Sequence, residues 1–133
     1  MMKILQPAGW KRPSGYSNGV AAEGRLVFVS GQVGWDENEV FQSENLVDQV
    51  RRALQNTLAV LAEADAGPQH IARMTWYITD RREYLDSMPA LGAVYREIIG
   101  GHYPAMAMVE VSALIEDGAK VEIETTAVVP PGN

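Results

Sequence analysis

Tyr103-Pro104-Ala105-Met106-Ala107-Met108-Val109-Glu110-Val111-Ser112-Ala113-Leu114 is followed by Glu116-Asp117-Gly118 and then by Lys120-Val121-Glu122-Ile123-Glu124-Thr125-Thr126-Ala127-Val128-Val129. Both arms alternate. Ala105, Ala107, Val109 and Val111 share one side of the first, against Met106, Met108 and Glu110. Val121, Ile123, Thr125 and Ala127 oppose Lys120, Glu122, Glu124 and Thr126 in the second. Period two over this length reads as strand, and Asp-Gly between two such runs predicts a closing hairpin. Carboxylates and methionines on a strand face suit a cleft or a subunit interface better than open solvent.

Upstream, Ser87 to Ile99 predicts a helix with the stripe Leu91, Val94, Tyr95 and Ile98, started near Pro89 and stopped by Gly100-Gly101. Asp80 to Tyr84 reads as a turn, and His70 to Thr79 as a strand whose Met74, Trp76 and Ile78 face one way. Asn45 to Ala64 is the clearest helix, with Leu46, Val50, Leu54, Leu58 and Leu61 on one stripe and Ser43 or Asn45 to cap it. Gly19 to Ala22 and Arg25 to Gly31 predict a hairpin turned at Glu23-Gly24. Pro7 to Gly19 reads as a loop, after a short edge strand at Lys3-Ile4-Leu5.

The result is one α+β domain over residues 1–133, a mixed sheet with two helices on one face. No further helix is available for the other face, so self-association is the expected cover.

A net charge of −6, with no basic cluster beyond Arg51-Arg52 and Arg81-Arg82, argues against nucleic acid as a partner. The chain has no cysteine, hence no disulfide, thiolate nucleophile or cysteine metal site. No apolar run matches a membrane helix or a signal peptide, which predicts a soluble cytoplasmic protein.

General catalytic motifs are absent. Gly31-Gln32-Val33-Gly34 is no dinucleotide fingerprint, and Phe28-Val29-Ser30-Gly31-Gln32 lacks the glycine that precedes the serine of a nucleophile elbow. His70 and His102 are too far apart for a metal motif, so no metal is expected. Glu110, Glu122 and Glu124 read either as solvated strand carboxylates or as acids that place water in a partly dry cleft. Tyr16 and Ser30 read as loop and strand-end residues or as ligand hydrogen-bonding groups. Met106 and Met108 read as apolar lining, and Trp10 and Trp35 as loop anchors.

Gly15-Tyr16-Ser17, Phe28-Val29-Ser30-Gly31-Gln32, Gln49 with Ala53-Leu54-Gln55-Asn56, Thr79-Asp80, Tyr95, Tyr103-Pro104-Ala105 and Val121-Glu122-Ile123-Glu124 with Ala127-Val128 together resemble the Rid family, the reactive intermediate deaminases also called YjgF. The resemblance runs from about Gly15 to Val129. It implies a chorismate-mutase-like fold, a homotrimer with a barrel-like sheet core, and clefts between subunits. It also implies cofactor-free hydrolysis of 2-imino or enamino acids to 2-keto acids and ammonia. Tyr16 matches the cleft tyrosine, Ser30 and Gly31 the serine-glycine pair, and Glu122 the glutamate that places water. The carboxylate-binding arginine that follows Pro-Ala is Met106 here. The usual asparagine three residues before Tyr95 is Gly92, and the small residue two after the arginine is Met108.

Methionine cannot grip a carboxylate bidentately. The resemblance therefore implies an arginine-lacking subgroup with a non-standard substrate; related proteins include some that act on 2-aminomuconate. Arg12, Arg73 and Arg96 are the cations that could substitute. The alternatives are a non-catalytic trimer that binds a small apolar or aromatic molecule in the same clefts, and an interaction protein using the trimer surface.

Overall fold

Period-two segments must pair, and the structure, a computed structural model that describes residues 2–132, shows with what. The elements run β1 (Lys3–Leu5), β2 (Gly19–Ala21), β3 (Arg25–Val33), α1 (Leu46–Ala62), a 3-10 turn (Pro68–His70), β4 (Ile71–Ile78), α2 (Arg81–Asp86), α3 (Met88–Ile98), β5 (Ala105–Glu110) and β6 (Val121–Val129). The α+β expectation holds. Two of its pairings do not.

The closing segments form no hairpin. The main sheet has the order β3-β6-β4-β5, so β4 separates the two arms. β5 runs parallel to β4, with Met74 opposite Met106 and Trp76 opposite Met108. Residues 111–120 span the end of β4 instead of turning tightly: Val111 N–H donates to Ile78 O at 2.8 Å and Thr79 N–H to Lys120 O at 3.2 Å. A parallel neighbour needs a helical crossover, which α2 and α3 provide between β4 and β5. Alternation reports which face of a strand is buried but carries no record of its neighbour.

Glu23-Gly24 likewise joins two sheets. β2 pairs with β1, Lys3 opposite Ala21, while β3 pairs with β6, Arg25 opposite Val129. Gly24 adopts φ +146°, and a Cβ there would overlap the Val129 carbonyl, so β3 approaches β6 where only glycine fits.

Asp80 to Tyr84 is not a turn either. It starts α2, whose first N–H groups are met by the Asp80 side chain accepting from Glu83 N–H at 3.0 Å. Among the described residues the α-helices are therefore three, the added one short.

β6 is the hub of the sheet, antiparallel to both β3 and β4. Its Val121, Ile123, Thr125 and Ala127 are buried with Met74, Trp76 and Ile78 of β4, under Leu46, Val50, Leu54 and Leu61 of α1 and Leu91, Val94 and Tyr95 of α3. The opposite face has no helix. There Phe28 is 71% exposed and Leu26 57%, beside Thr75, Tyr77, Glu122 and Glu124.

Gln49 locks α1 to the segment before β6. Its amide donates to Ser43 O at 3.0 Å and Gly118 O at 2.9 Å, and its oxygen accepts from Lys120 N–H at 2.8 Å. The side chain is buried. Gln49→Leu strands three backbone groups and should lower unfolding free energy in urea by about 3 kcal/mol. Asn45→Ala removes only the α1 cap to Asp48 N–H and should lose about 1 kcal/mol. Equal losses for the two would contradict the role given to Gln49.

Candidate functional site

The stretch between α3 and β5 is fixed by aromatic and backbone contacts. Tyr95 donates its hydroxyl to His102 O at 2.7 Å, and its ring stacks on Tyr103 with centroids 5.5 Å apart. The His102 ring meets Ile71 O through Nε2 at 2.6 Å. Pro104 is fully buried. Ser17 N–H then donates to Pro104 O at 3.0 Å and Ser17 Oγ to Tyr103 O, which lays the glycine-rich loop along the start of β5 and brings Tyr16 there.

These constraints shape a cavity of about 500 Å³ on the helical side of the sheet. The sheet contributes Trp76, Met106 and Met108, and α3 contributes Leu91, Gly92 and Arg96. Tyr16 and Tyr84 complete the rim with Met88. Tyr16, Met106 and Met108 are thus brought together as a group. Trp76 and Tyr84 were not singled out by the sequence as ligand-facing residues. The alternation of Met74, Trp76 and Ile78 placed Trp76 on the correct face, but nothing local marked the end of that face as hollow.

Ser30, Gly31 and Glu122 form a second group. The β3–β6 register shifts between Val29 and Gln32, so Ser30-Gly31 is a bulge. A Cβ on Gly31 would overlap the Glu122 carboxylate, which therefore lies directly over the Gly31 backbone. Glu122 pairs across β4 with Tyr77, on the face without helices. Met106 and Glu122 consequently lie on opposite faces of one chain's sheet, which corrects the expectation that the methionines and these carboxylates share one face.

The three acidic candidates separate cleanly. Glu110 accepts from Arg81 N–H at 2.6 Å, at the start of α2. Glu124 accepts from the Tyr77 hydroxyl at 2.6 Å, a bond that also raises the Tyr77 phenol pKa. Among the described residues, Glu122 alone of the three has a carboxylate with no hydrogen-bond or ion-pair partner. Both histidines are structural: His102 as above, and His70 through Nδ1, which accepts from Gly67 N–H at 3.0 Å.

Of the three arginines that could substitute for the missing cation, Arg96 lines the 500 Å³ cavity. Arg73 lies on the other face, in a small depression with Phe28, Thr75 and Glu124. Arg12 lines neither. No helix among the described residues is long and apolar enough to cross a membrane.

The profile of the family described as Endoribonuclease L-PSP matches residues 10–129. DfrA of Myxococcus xanthus is 37% identical over 116 residues, which is 85% of this chain and 84% of that protein. TdcF of Escherichia coli K12, which bears the name of a reactive intermediate deaminase, is 32% identical over 108 residues, 79% of this chain and 80% of its own. The crystal structure of E. coli TdcF with bound serine superposes with a TM-score of 0.68 at 30% identity, over 96% of this chain and 98% of that one. The Rid-family protein YyfB of Yersinia pestis superposes with a TM-score of 0.85 at 26% identity, covering 96% and 98% of the two chains.

Burial pushes the Tyr95 phenol well above its ordinary value of 10.0, with Tyr103 adding to the effect, and burial also raises Tyr84. The folded state holds a proton that the unfolded chain releases near pH 10. The stability this gives is complete below pH 10 and is lost as pH rises beyond it. The urea midpoint should therefore fall above pH 10, and Tyr95→Phe should flatten that fall. A fall of unchanged steepness in the variant would exclude Tyr95 as its source.

Proposed function

The chain belongs to the endoribonuclease L-PSP family, the Rid or YjgF family, and from that premise we propose that it is a hydrolytic deaminase of enamine or imine intermediates. An imine carbon gains the oxygen of one water, its C–N bond breaks, and ammonia leaves with the water's protons, giving the carbonyl compound. An enamine enters after tautomerising to the imine. The balance needs no redox partner and no cofactor.

The observation that carries the reading is Glu122. Its carboxylate has no hydrogen-bond or ion-pair partner among the described residues and is held against the backbone of a bulge whose glycine is required for the approach. Such a group can take a proton from attacking water and return it to the departing nitrogen. Tyr16 and the Ser30-Gly31 backbone are the proposed substrate-binding groups, with Met106 and Met108 lining the side-chain pocket.

One chain holds the two groups on opposite faces. A complete site therefore assembles between copies, the Glu122 face of one against the Tyr16–Met106 pocket of the next. A homotrimer closing its uncovered faces into a barrel-like core supplies this arrangement three times, and it buries Phe28 and Leu26. Met106 in the position the resemblance gives to arginine favours a non-standard substrate, of the kind that 2-aminomuconate represents. The cysteine-free chain suits a reducing cytoplasm.

The family's descriptive name raises RNA cleavage. The net charge of −6, and the engagement of both histidines in structural bonds, do not favour it. The methionine-lined cavity favours the second reading, a trimer that binds a small apolar or aromatic molecule without turnover.

Ammonia release from imino acids generated in situ by an amino-acid oxidase tests the proposal. Release should exceed the protein-free rate and fall about 10²- to 10⁴-fold in Glu122→Gln. Unchanged turnover in the variant would remove Glu122 from the chemistry, and binding across the panel without release would establish the second reading. Sedimentation should give three times the 14.6 kDa chain mass, and Phe28→Asp should shift it to the monomer; a monomeric parent chain contradicts the shared cleft.

A further inference from the structure

Met106 removes the cation from β5, yet the cavity still has one. Arg96 lines it from α3. Among the described residues its side chain makes no hydrogen bond and no ion pair. Arg51, Arg52 and Arg82 are engaged by Glu97, Glu37 and Asp86. Glu97, the acid next to Arg96 in sequence, is therefore already committed elsewhere.

Arg96 is exposed, and its side chain forms part of the α3 wall of the cavity. Side chains on a helix lean toward its N-terminus, so the Arg96 arm lies over the turn that contains residue 92. A Cβ on Gly92 would sit 3.4 Å from Arg96 Nη1. Glycine inside a helix is unfavourable relative to alanine, and at this position a Cβ would come into van der Waals contact with the guanidinium. The sheet wall of the cavity is without a cation, and Arg96 on α3 supplies one to the lining.

We propose that Arg96 binds the carboxylate of the substrate, and that the pocket selects 2-imino or enamino acids with a bulky, aromatic side chain. The carboxylate then sits against α3 near the mouth, and the aromatic body lies over Met106, Met108 and Trp76. Thioethers pack well against aromatic rings and adapt to their shape. A volume of about 500 Å³ is in the range of sites for ligands of this size and leaves a pyruvate-sized molecule with few contacts. The reaction assigned to this ligand rests on the deaminase reading, whereas the binding geometry does not.

Calorimetric titration of the full chain with stable product analogues tests the proposal apart from turnover. Phenylpyruvate is expected to bind at least about tenfold more tightly than pyruvate, which lacks the ring, and than phenylacetone, which lacks the carboxylate. Arg96→Gln should weaken phenylpyruvate about tenfold to a hundredfold and leave phenylacetone unchanged, the loss of a charge-assisted pair. Arg96→Lys should recover part of the loss, because it keeps the charge without the fork. Phenylpyruvate affinity unaltered by Arg96→Gln, or pyruvate binding as tightly as phenylpyruvate, would overturn the proposal. Arg96-dependent binding without ammonia release would sustain it while removing the deaminase reading. Ammonia release from the aromatic imino acid that Arg96→Gln does not slow would remove the proposal and leave the deaminase reading standing.

Discussion

A four-stranded sheet has two faces, and the helices of this chain cover one. α1 and α3 pack over β6 and β4, where Val121, Ile123, Met74 and Trp76 are buried. The remaining face keeps Phe28 and Leu26 in solvent beside Glu122, Glu124 and Tyr77. Aromatic and aliphatic side chains next to carboxylates make a poor permanent surface and a good interface rim. The proposed assembly and the proposed chemistry both follow from this one-sidedness.

Side-chain alternation then divides the chemistry. Met106 and Met108 fall on the helical side because Met74 and Trp76, their partners on β4, do. Glu122 falls on the open side because Tyr77 does. Neighbouring acids have different occupations despite similar local sequence: Tyr77 holds Glu124, the start of α2 holds Glu110, and Glu122 makes no hydrogen bond through its carboxylate among the described residues. The pocket is balanced in a comparable way. Its sheet wall is apolar, and its one lining cation comes from the helix.

The sequence disclosed which residues are buried better than which strands meet. The four- and three-residue spacing of Leu46, Val50, Leu54 and Leu61 marked α1 within two residues, because burial of one stripe requires that period. The same logic fixed the faces of β4 and β6. Partner choice was not legible, since β5 and β6 alternate equally well whether they pair with each other or flank β4. Asp80-x-x-Glu83 did carry a helix-start signal, although Asp80 to Tyr84 reads as a turn on composition. Tyr16, Ser30 and Glu122 were each legible from the residues as one of two alternatives, and the family resemblance singled them out and added Gly31. Arg96 could be named from the sequence but not placed, because its position depends on how α3 lies against β5.

The most direct test of the account asks whether the two half-sites meet between chains. The chain has no cysteine, so introduced thiols report without background. Met106→Cys and Glu122→Cys subunits would be mixed, allowed to exchange, treated with a short bismaleimide and resolved on a denaturing gel. Covalent dimers are expected from the mixture and monomers from either variant alone. A mixture that stays monomeric on the gel, with both thiols shown to be reactive, would contradict a site shared across the interface.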